Sequence, residues 1–143
     1  MLVTEGTGLP VGFYLASAQR AEVRLAEPTL ATIRVPRRHG RPRKRPKSLV
    51  ADRGYDSRKF RRAMRSRGIR PCIPPRRYQG KRRPGRPLGE HREAYAQRWV
   101  VERTFAWLGN FRRLVVRYEH RLSVYQAFFT IACILICLGR ILQ

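Results

Sequence analysis

The first 18 residues contain two short apolar runs separated by glycines. Leu2 to Thr4 predicts a β-strand, Gly6-Thr7-Gly8 a turn, and Val11 to Leu15 the returning strand of a hairpin. A first strand of this length is short, because strands usually have about five or six residues. We therefore expect the first strand to be incomplete, and we expect the sheet to lack the central strand that would pair beside it.

Residues 19–34 have apolar side chains at helical spacing, including Leu25, Leu30 and Ile33. This pattern predicts a helix with one apolar face. Because proline lacks the amide hydrogen that a helix interior needs, Pro28 predicts a kink or a restart.

Short strands and helices alternate in the middle of the chain. The run SLVAD predicts a buried strand over 48–52 that ends at Asp52, residues 57–67 predict a basic helix, and residues 69–73 predict another strand. This order, after an opening hairpin, predicts an α/β fold with a mixed sheet in a single domain.

Residues 90–108 predict a long helix with an unusual polar stripe. Tyr95, Arg98 and Glu102 are spaced i, i+3 and i+7, which puts them within roughly 60° of each other around the helix axis. After this helix, residues 114–118 predict a short strand or an extended linker.

Residues 122–142 are the most apolar segment, with 18 uncharged residues between Arg121 and Arg140. That length reaches the threshold for a membrane span, and a membrane-associated basic protein is one alternative. Because Ser123, Gln126 and Thr130 make the first half amphipathic, we expect instead a buried helix that covers a sheet and no membrane partner.

The charge of the chain is +23, from 32 basic and nine acidic residues. Residues 1–35 are neutral, with three side chains of each sign, so all the excess follows Val35. This asymmetry indicates a polyanionic partner, with nucleic acid ahead of a membrane surface. A genome rich in G and C also favours arginine codons, but codon bias does not explain the segregation.

Two proline-broken loops concentrate the cations, with seven in residues 36–47 and six in residues 76–87. Flexible arginines of this kind contact phosphates, or they remain solvated in disordered loops. The candidate phosphate-binding residues are Arg41, Arg43, Lys44, Arg45, Arg82 and Arg83.

Asp52 and Glu102 are the two acids whose positions suggest chemistry, one at a strand end and one on the helix stripe. If they converge, they supply the oxygen ligands that Mg²⁺ or Mn²⁺ prefers, and two such ions support phosphoryl transfer. Two ions near a polyanion need a third carboxylate, and no other acid ends a credible central strand. In the structural alternatives, Asp52 is a helix N-terminal or turn carboxylate paired with a nearby arginine, and Glu102 is an i,i+4 partner of Arg98.

Two further residue types have structural interpretations. Asp56 precedes Ser57 and a predicted helix, so we expect it to be the N-cap. Cys72, Cys133 and Cys137 are odd in number and form no CxxC motif, so we expect no disulfide framework and no zinc site. Cys133 and Cys137 lie in an apolar run and are expected to be small buried hydrophobic residues.

The motif LVADRGYDS, followed by YAQRWVVERTFAWLGNFRRLVVRYE, resembles the C-terminal half of bacterial insertion-sequence transposases of the DDE type. The signature of that family around its last acid is Y-x2-R-x3-E-x6-K. Tyr95, Arg98 and Glu102 match it, whereas Gly109 stands where the lysine is expected, with Arg112 and Arg113 nearby. Asp52 resembles the second aspartate of the family.

The resemblance implies a ribonuclease-H-like mixed sheet with flanking helices over residues 1–143, N-terminally truncated. It also implies two Mg²⁺ or Mn²⁺ ions held by Asp52, Glu102 and a first aspartate upstream of this chain. Tyr95 and Arg98 are then expected to position DNA. The intact protein is expected to cleave and join DNA in the bacterial cytoplasm, at the nucleoid.

Alone, the chain is expected to be inactive. Besides DNA, its expected partner is the upstream transposase segment carrying the first aspartate, and a homo-oligomer is compatible with the sequence. The rival interpretation is a non-catalytic basic nucleic-acid-binding module, in which Asp52 and Glu102 are structural.

Overall fold

A computed structural model describes residues 1–17, 19–76 and 92–142. The elements are, in chain order, β1 (Leu2–Thr4), β2 (Pro10–Phe13), α1 (Glu22–Ala31), β3 (Ser48–Val50), a 3₁₀ turn (Arg53–Tyr55), α2 (Arg58–Ser66), β4 (Arg70–Cys72), α3 (Arg92–Ala96), α4 (Trp99–Gly109), α5 (Arg112–Val115) and α6 (Leu122–Ile141). This is a mixed α/β arrangement, as the alternation of patterns predicts.

The strands of the described residues form two separate two-stranded sheets. The predicted hairpin is confirmed: β1 and β2 pair antiparallel, with Leu2 opposite Phe13. β3 and β4 pair in parallel, with Val50 opposite Cys72, and α2 supplies the crossover that a parallel pair needs. Both strand directions of a mixed sheet are present, but β1 and β3 are not paired with each other.

The helix α1 is continuous from Glu22 to Ala31 with Pro28 inside it, so the predicted restart is wrong. Leu25, Ala26 and Leu30 are buried along one face. The packing of this face holds the helix together where the proline removes one backbone hydrogen bond.

Ser57, and not Asp56, caps α2. The Ser57 hydroxyl accepts a hydrogen bond from the Phe60 amide at 3.1 Å. The expectation for Asp56 is therefore wrong: its carboxylate is buried and accepts from Arg61 Nε at 2.8 Å and from the Arg76 amide at 2.6 Å. The helix ends as predicted before Gly68, whose φ of 70° suits a residue without a side chain.

Residues 90 and 91 of the predicted helix 90–108 lie outside the described residues, and the rest is divided into α3 and α4 at Gln97 and Arg98. The break is tight, because the Arg98 amide donates to the Tyr95 carbonyl at 3.0 Å in a 3₁₀-type bond. The prediction for 114–118 is wrong for its first two residues, which end α5; the backbone is extended at Val116.

The helix α6 confirms the predicted bounds closely, but its predicted burial is wrong. Only Phe129, Ala132 and Cys133 are buried, with the Phe129 ring 4.6 Å from that of Phe13 on the hairpin. Large side chains on the opposite face are about half exposed, such as Ile131 at 51%. A two-stranded sheet is too small to cover a 20-residue helix. By length and composition α6 could also cross a membrane, which is weak evidence on its own.

Two apolar clusters hold the described residues together. The first joins α1, α2 and the residues around β4: Ala26, Leu30, Ile33, Phe60, Met64, Ile69 and Ile73. The second joins β1, α4 and α6: Leu2, Leu108, Phe129, Ala132 and Cys133. The cysteines Cys72, Cys133 and Cys137 are free. Cys133 is buried as expected, whereas Cys137 is only half-buried, so its predicted burial is wrong. Burial raises the pKa of the Cys133 thiol to about 11, with a smaller effect from Cys137.

Candidate functional site

A groove of about 910 Å³ lies between β1 and β3. Leu2, Val3 and Thr4 form one wall, and the segment from Lys47 to Asp52 forms the other. Residues of α1 and α4 also line it. The groove therefore separates the two sheets, and predicted site residues are among those that line it.

Asp52 lies on the wall of this groove, two residues beyond the end of β3. It is half-buried, and its Oδ1 accepts the Gly54 amide at 2.8 Å as the N-cap of the 3₁₀ turn. The strand is thus shorter than the predicted 48–52, although the Asp52 backbone is still extended where its side chain caps the 3₁₀ turn. Among the described residues, the second oxygen, Oδ2, has no hydrogen-bond partner and can accept another.

Tyr55 and Glu22 lie beside Asp52, a neighbourhood that the sequence does not indicate. The Tyr55 hydroxyl donates to Glu22 Oε2 at 3.4 Å. Burial first, and then the carboxylates of Glu22 and Asp52, raise the pKa of the Tyr55 phenol. Within the described ranges, no three His, Cys, Asp or Glu side chains converge as a metal cluster.

Tyr95, Arg98 and Glu102 are brought together although the helix is interrupted between them. Arg98 Nη2 lies 3.1 Å from Glu102 Oε1, and the Arg98 guanidinium lies 5.9 Å from the centre of the Tyr95 ring. The Arg98 and Glu102 side chains are 43% and 61% exposed, so solvent and ligands reach them. The predicted stripe is therefore a contiguous, accessible row of side chains.

The groove connects the two halves of the predicted site through Arg98. Arg98 lines the groove together with Asp52, and Glu102 lies one helical turn further along α4. That Asp52 and Glu102 bind one metal centre remains a prediction.

The first basic loop borders the same groove. Arg43 and Arg45 line it, and the backbone of Arg43 pairs with Val35 at 2.8 and 2.9 Å. The Arg45 guanidinium donates to the Arg67 carbonyl at the end of α2, so this loop is attached rather than free. Arg41 and Lys44 are exposed. Arg82 and Arg83, in the second loop, lie outside the described residues.

The carboxylate oxygens of the predicted site provide some of the ligands that a hard divalent cation needs. Asp52 has a free carboxylate oxygen, and Glu102 is an exposed carboxylate with one oxygen beyond the Arg98 contact. Carboxylate oxygens are the ligands that Mg²⁺ takes from proteins, usually one or two with water completing the octahedron. By ligand number, two carboxylates are enough for one such ion, whereas a two-ion centre needs at least one more carboxylate.

A row of stacked cations and aromatic rings runs along one side of α4 and was not predicted. The Arg103 guanidinium lies 4.6 Å from the Trp99 ring and 5.0 Å from the Trp107 ring, and Arg140 of α6 lies 5.0 Å from Trp107. The i, i+4 and i+8 spacing of Trp99, Arg103 and Trp107 is the sequence signal that could have revealed it.

Comparison with known proteins identifies the class. A family model described as a transposase DDE domain matches residues 1–137. The chain is 42% identical over 137 residues to a Burkholderia cepacia protein described as "Putative transposase for insertion sequence element IS402". No solved structure matches the chain significantly. The chain belongs to the DDE transposase family of insertion sequences.

The match covers 95% of this chain and 60% of that relative. The chain thus spans less than two thirds of the length of the curated relative that it matches.

Proposed function

We propose that this chain forms part of a ribonuclease-H-like transposase catalytic domain, in which Asp52 and Glu102 bind the divalent metal used for DNA strand cleavage and transfer. The observation that supports it most is the shared groove. Asp52 and Arg98 line one cavity, and Arg98 contacts Glu102 directly. DNA is the proposed substrate, and the bacterial nucleoid is the proposed location.

Each side chain has a distinct part in this proposal. When bound, Mg²⁺ or Mn²⁺ lowers the pKa of a coordinated water and stabilises negative charge on phosphate oxygens. Asp52 and Glu102 would hold it. Arg98 orients the Glu102 carboxylate through their 3.1 Å contact, and its exposed edge, with the Tyr95 hydroxyl, is available to a DNA phosphate. Arg43 and Arg45 also line the groove and bring positive charge to it.

We further infer that an extended transposase segment, carrying the third carboxylate, inserts between β1 and β3. Met1 and Tyr14 form both backbone hydrogen bonds with each other. Because backbone groups alternate in direction along a strand, the N–H and C=O of Leu2 point away from β2. The Lys47 carbonyl and the Ala51 amide form hydrogen bonds with β4. By the same alternation, the backbone N–H and C=O groups of Ser48 and Val50 point away from β4. Within the described part of the chain these edges pair with no other strand; their residues line the groove and can accept an added strand.

Plasmid nicking tests the proposal. The 143-residue chain alone should not nick supercoiled DNA. A fusion with the upstream transposase segment that carries an aspartate should nick it only with Mg²⁺ or Mn²⁺. Glu102→Gln in the fusion should abolish nicking, whereas Glu93→Gln, at an exposed glutamate of the neighbouring helix, should not. Nicking by the fusion that persists unchanged after Glu102→Gln would rule out the assigned role.

A second candidate is a nucleic-acid-binding module without catalysis, and two contacts favour it. Asp52 already serves as an N-cap, and Glu102 already pairs with Arg98, as the structural interpretation of these acids expects. Chelation discriminates between the two candidates: DNA binding that is unaffected by EDTA, together with no metal binding by the chain, supports the module.

A further inference from the structure

Two neighbouring residues of α4 hold the turn of the opening hairpin, 96 residues earlier in the chain. The Thr104 hydroxyl donates to the Gly8 carbonyl at 2.6 Å, and Arg103 Nη2 donates to the Thr7 carbonyl at 2.7 Å. Thr104 is 0% exposed. Because a hydroxyl has one proton, the shorter bond to Gly8 takes precedence over the 3.1 Å contact with the Val100 carbonyl.

The turn that receives these bonds is internally fixed. The Glu5 carboxylate accepts the amides of Thr7 at 2.8 Å and Leu9 at 3.1 Å, and it also accepts the Thr7 hydroxyl. Burial acts to raise the pKa of Glu5, but these hydrogen bonds outweigh it and lower the pKa. The carbonyls of Thr7 and Gly8 are therefore presented to α4 from a rigid loop.

Gly8 allows the close approach. Its φ of 97° disfavours any other residue, and an added Cβ would lie 3.2 Å from Thr104 Oγ1 and 3.4 Å from the Trp107 ring. A side chain here would push the turn away from the helix. The contact between Gly8 and Thr104 therefore depends on the glycine.

Arg103 is restrained on both sides as well as at its tip. Its guanidinium lies between the Trp99 and Trp107 rings, at 4.6 and 5.0 Å. The planar group stacks on indoles in a way that lysine cannot reproduce. The stack and the bond to Thr7 together limit rotation of α4 about its own axis.

We propose that Arg103 and Thr104 are positioning residues, which fix the rotation of α4 and thereby direct Glu102 and Arg98 toward the groove. This rests on the proposed function, in which Glu102 binds the metal. The two residues directly follow Glu102, and one residue corresponds to about 100° of helix rotation. Attachment at two successive residues is thus the most direct restraint on where the Glu102 carboxylate points.

Terbium luminescence tests the proposal on the whole chain, because Tb³⁺ prefers carboxylate ligands and tryptophan sensitises it. Trp99 is three residues from Glu102 and so reports on this site. Thr104→Val keeps the shape and removes the hydroxyl, and it should weaken Tb³⁺ binding roughly tenfold, the low end for groups that orient metal ligands. Thr104→Ser should restore the affinity. Thr130→Val, at an exposed threonine whose hydroxyl donates to the Gln126 carbonyl of its own helix, is the matched control.

Arg103→Lys provides a second variant that leaves the buried core intact, and it should also weaken Tb³⁺ binding. The melting temperature is measured for every variant. A purely structural role would lower the melting temperature of Thr104→Val and leave the Tb³⁺ affinity of the folded protein unchanged, which would overturn the positioning role.

The outcomes separate the two proposals. If Glu102→Gln abolishes Tb³⁺ binding while Thr104→Val and Arg103→Lys bind as the unmodified chain does, the positioning proposal is wrong and the metal role of Glu102 stands. If the unmodified chain gives no saturable signal, or Glu102→Gln leaves it unchanged, both proposals are overturned.

Discussion

Asp56 and Arg61 form a buried ion pair, with 2.8 Å between Oδ1 and Nε and with side chains 0% and 6% exposed. The second Asp56 oxygen accepts the Arg76 amide at 2.6 Å, and Arg61 Nη2 donates to the Ile73 carbonyl at 2.6 Å. The pair therefore connects the turn after Asp52, the helix α2 and the chain after β4. It fixes the end of the segment that leads to the second basic loop.

Removing one partner of this pair should be costly. Asp56→Ala leaves the Arg61 charge buried, and the free energy of unfolding should fall by about 3–5 kcal/mol. Urea unfolding followed by circular dichroism measures it. Glu102→Ala, which breaks the exposed pair with Arg98, is the control and should cost at most about 1 kcal/mol. Equal losses for the two variants would mean that the Asp56 network does not stabilise the fold.

The first basic loop should dominate DNA affinity. Arg41 and Lys44 are exposed, and removing one cation that binds a phosphate should reduce the slope of log affinity against log salt by roughly 0.9. Replacing both by Ala should therefore flatten the slope measured by fluorescence anisotropy on duplex DNA. Replacing Arg24 and Arg34 by Ala, in the neutral N-terminal segment, removes the same charge and should change the salt slope less. A salt-independent affinity of the unmodified chain would contradict phosphate binding by this loop.

The exposed face of α6 should limit solubility. Ile134 and Leu138 are 51% and 46% exposed, and apolar surface of this kind promotes association. Ile134→Lys with Leu138→Lys should shift the protein toward smaller species in size-exclusion chromatography with light scattering. Ala132→Lys, at a buried position on the same helix, should instead destabilise the fold. If the double variant associates as the unmodified chain does, this face is not the cause.

The local signals in the sequence account for much of the fold. Glycines located the hairpin turn, and helical spacing located α1, α2 and α6 to within a few residues. The choice between Asp56 and Ser57 as N-cap was not predictable, because both residue types cap helices. The structure decides it through the buried Arg61, which takes the Asp56 carboxylate.

The larger limits of prediction were in tertiary contacts. Burial of α6 depends on how much sheet is available to cover it, which its own apolar pattern does not specify. For the site, i, i+3 and i+7 spacing placed Tyr95, Arg98 and Glu102 together correctly despite the break at Arg98. The contact of Thr104 with Gly8 was not predictable from the sequence, because neither residue type indicates a partner 96 positions away.

Titration calorimetry with Mn²⁺ tests the central claim, that Asp52 and Glu102 hold one metal centre. The chain should bind Mn²⁺, and Asp52→Asn and Glu102→Gln should each weaken binding strongly. Because one ion needs both carboxylates, the double variant should bind no more weakly than the worse single variant. Equal affinity in all four proteins, or losses that simply add, would contradict the claim that the two acids form one site.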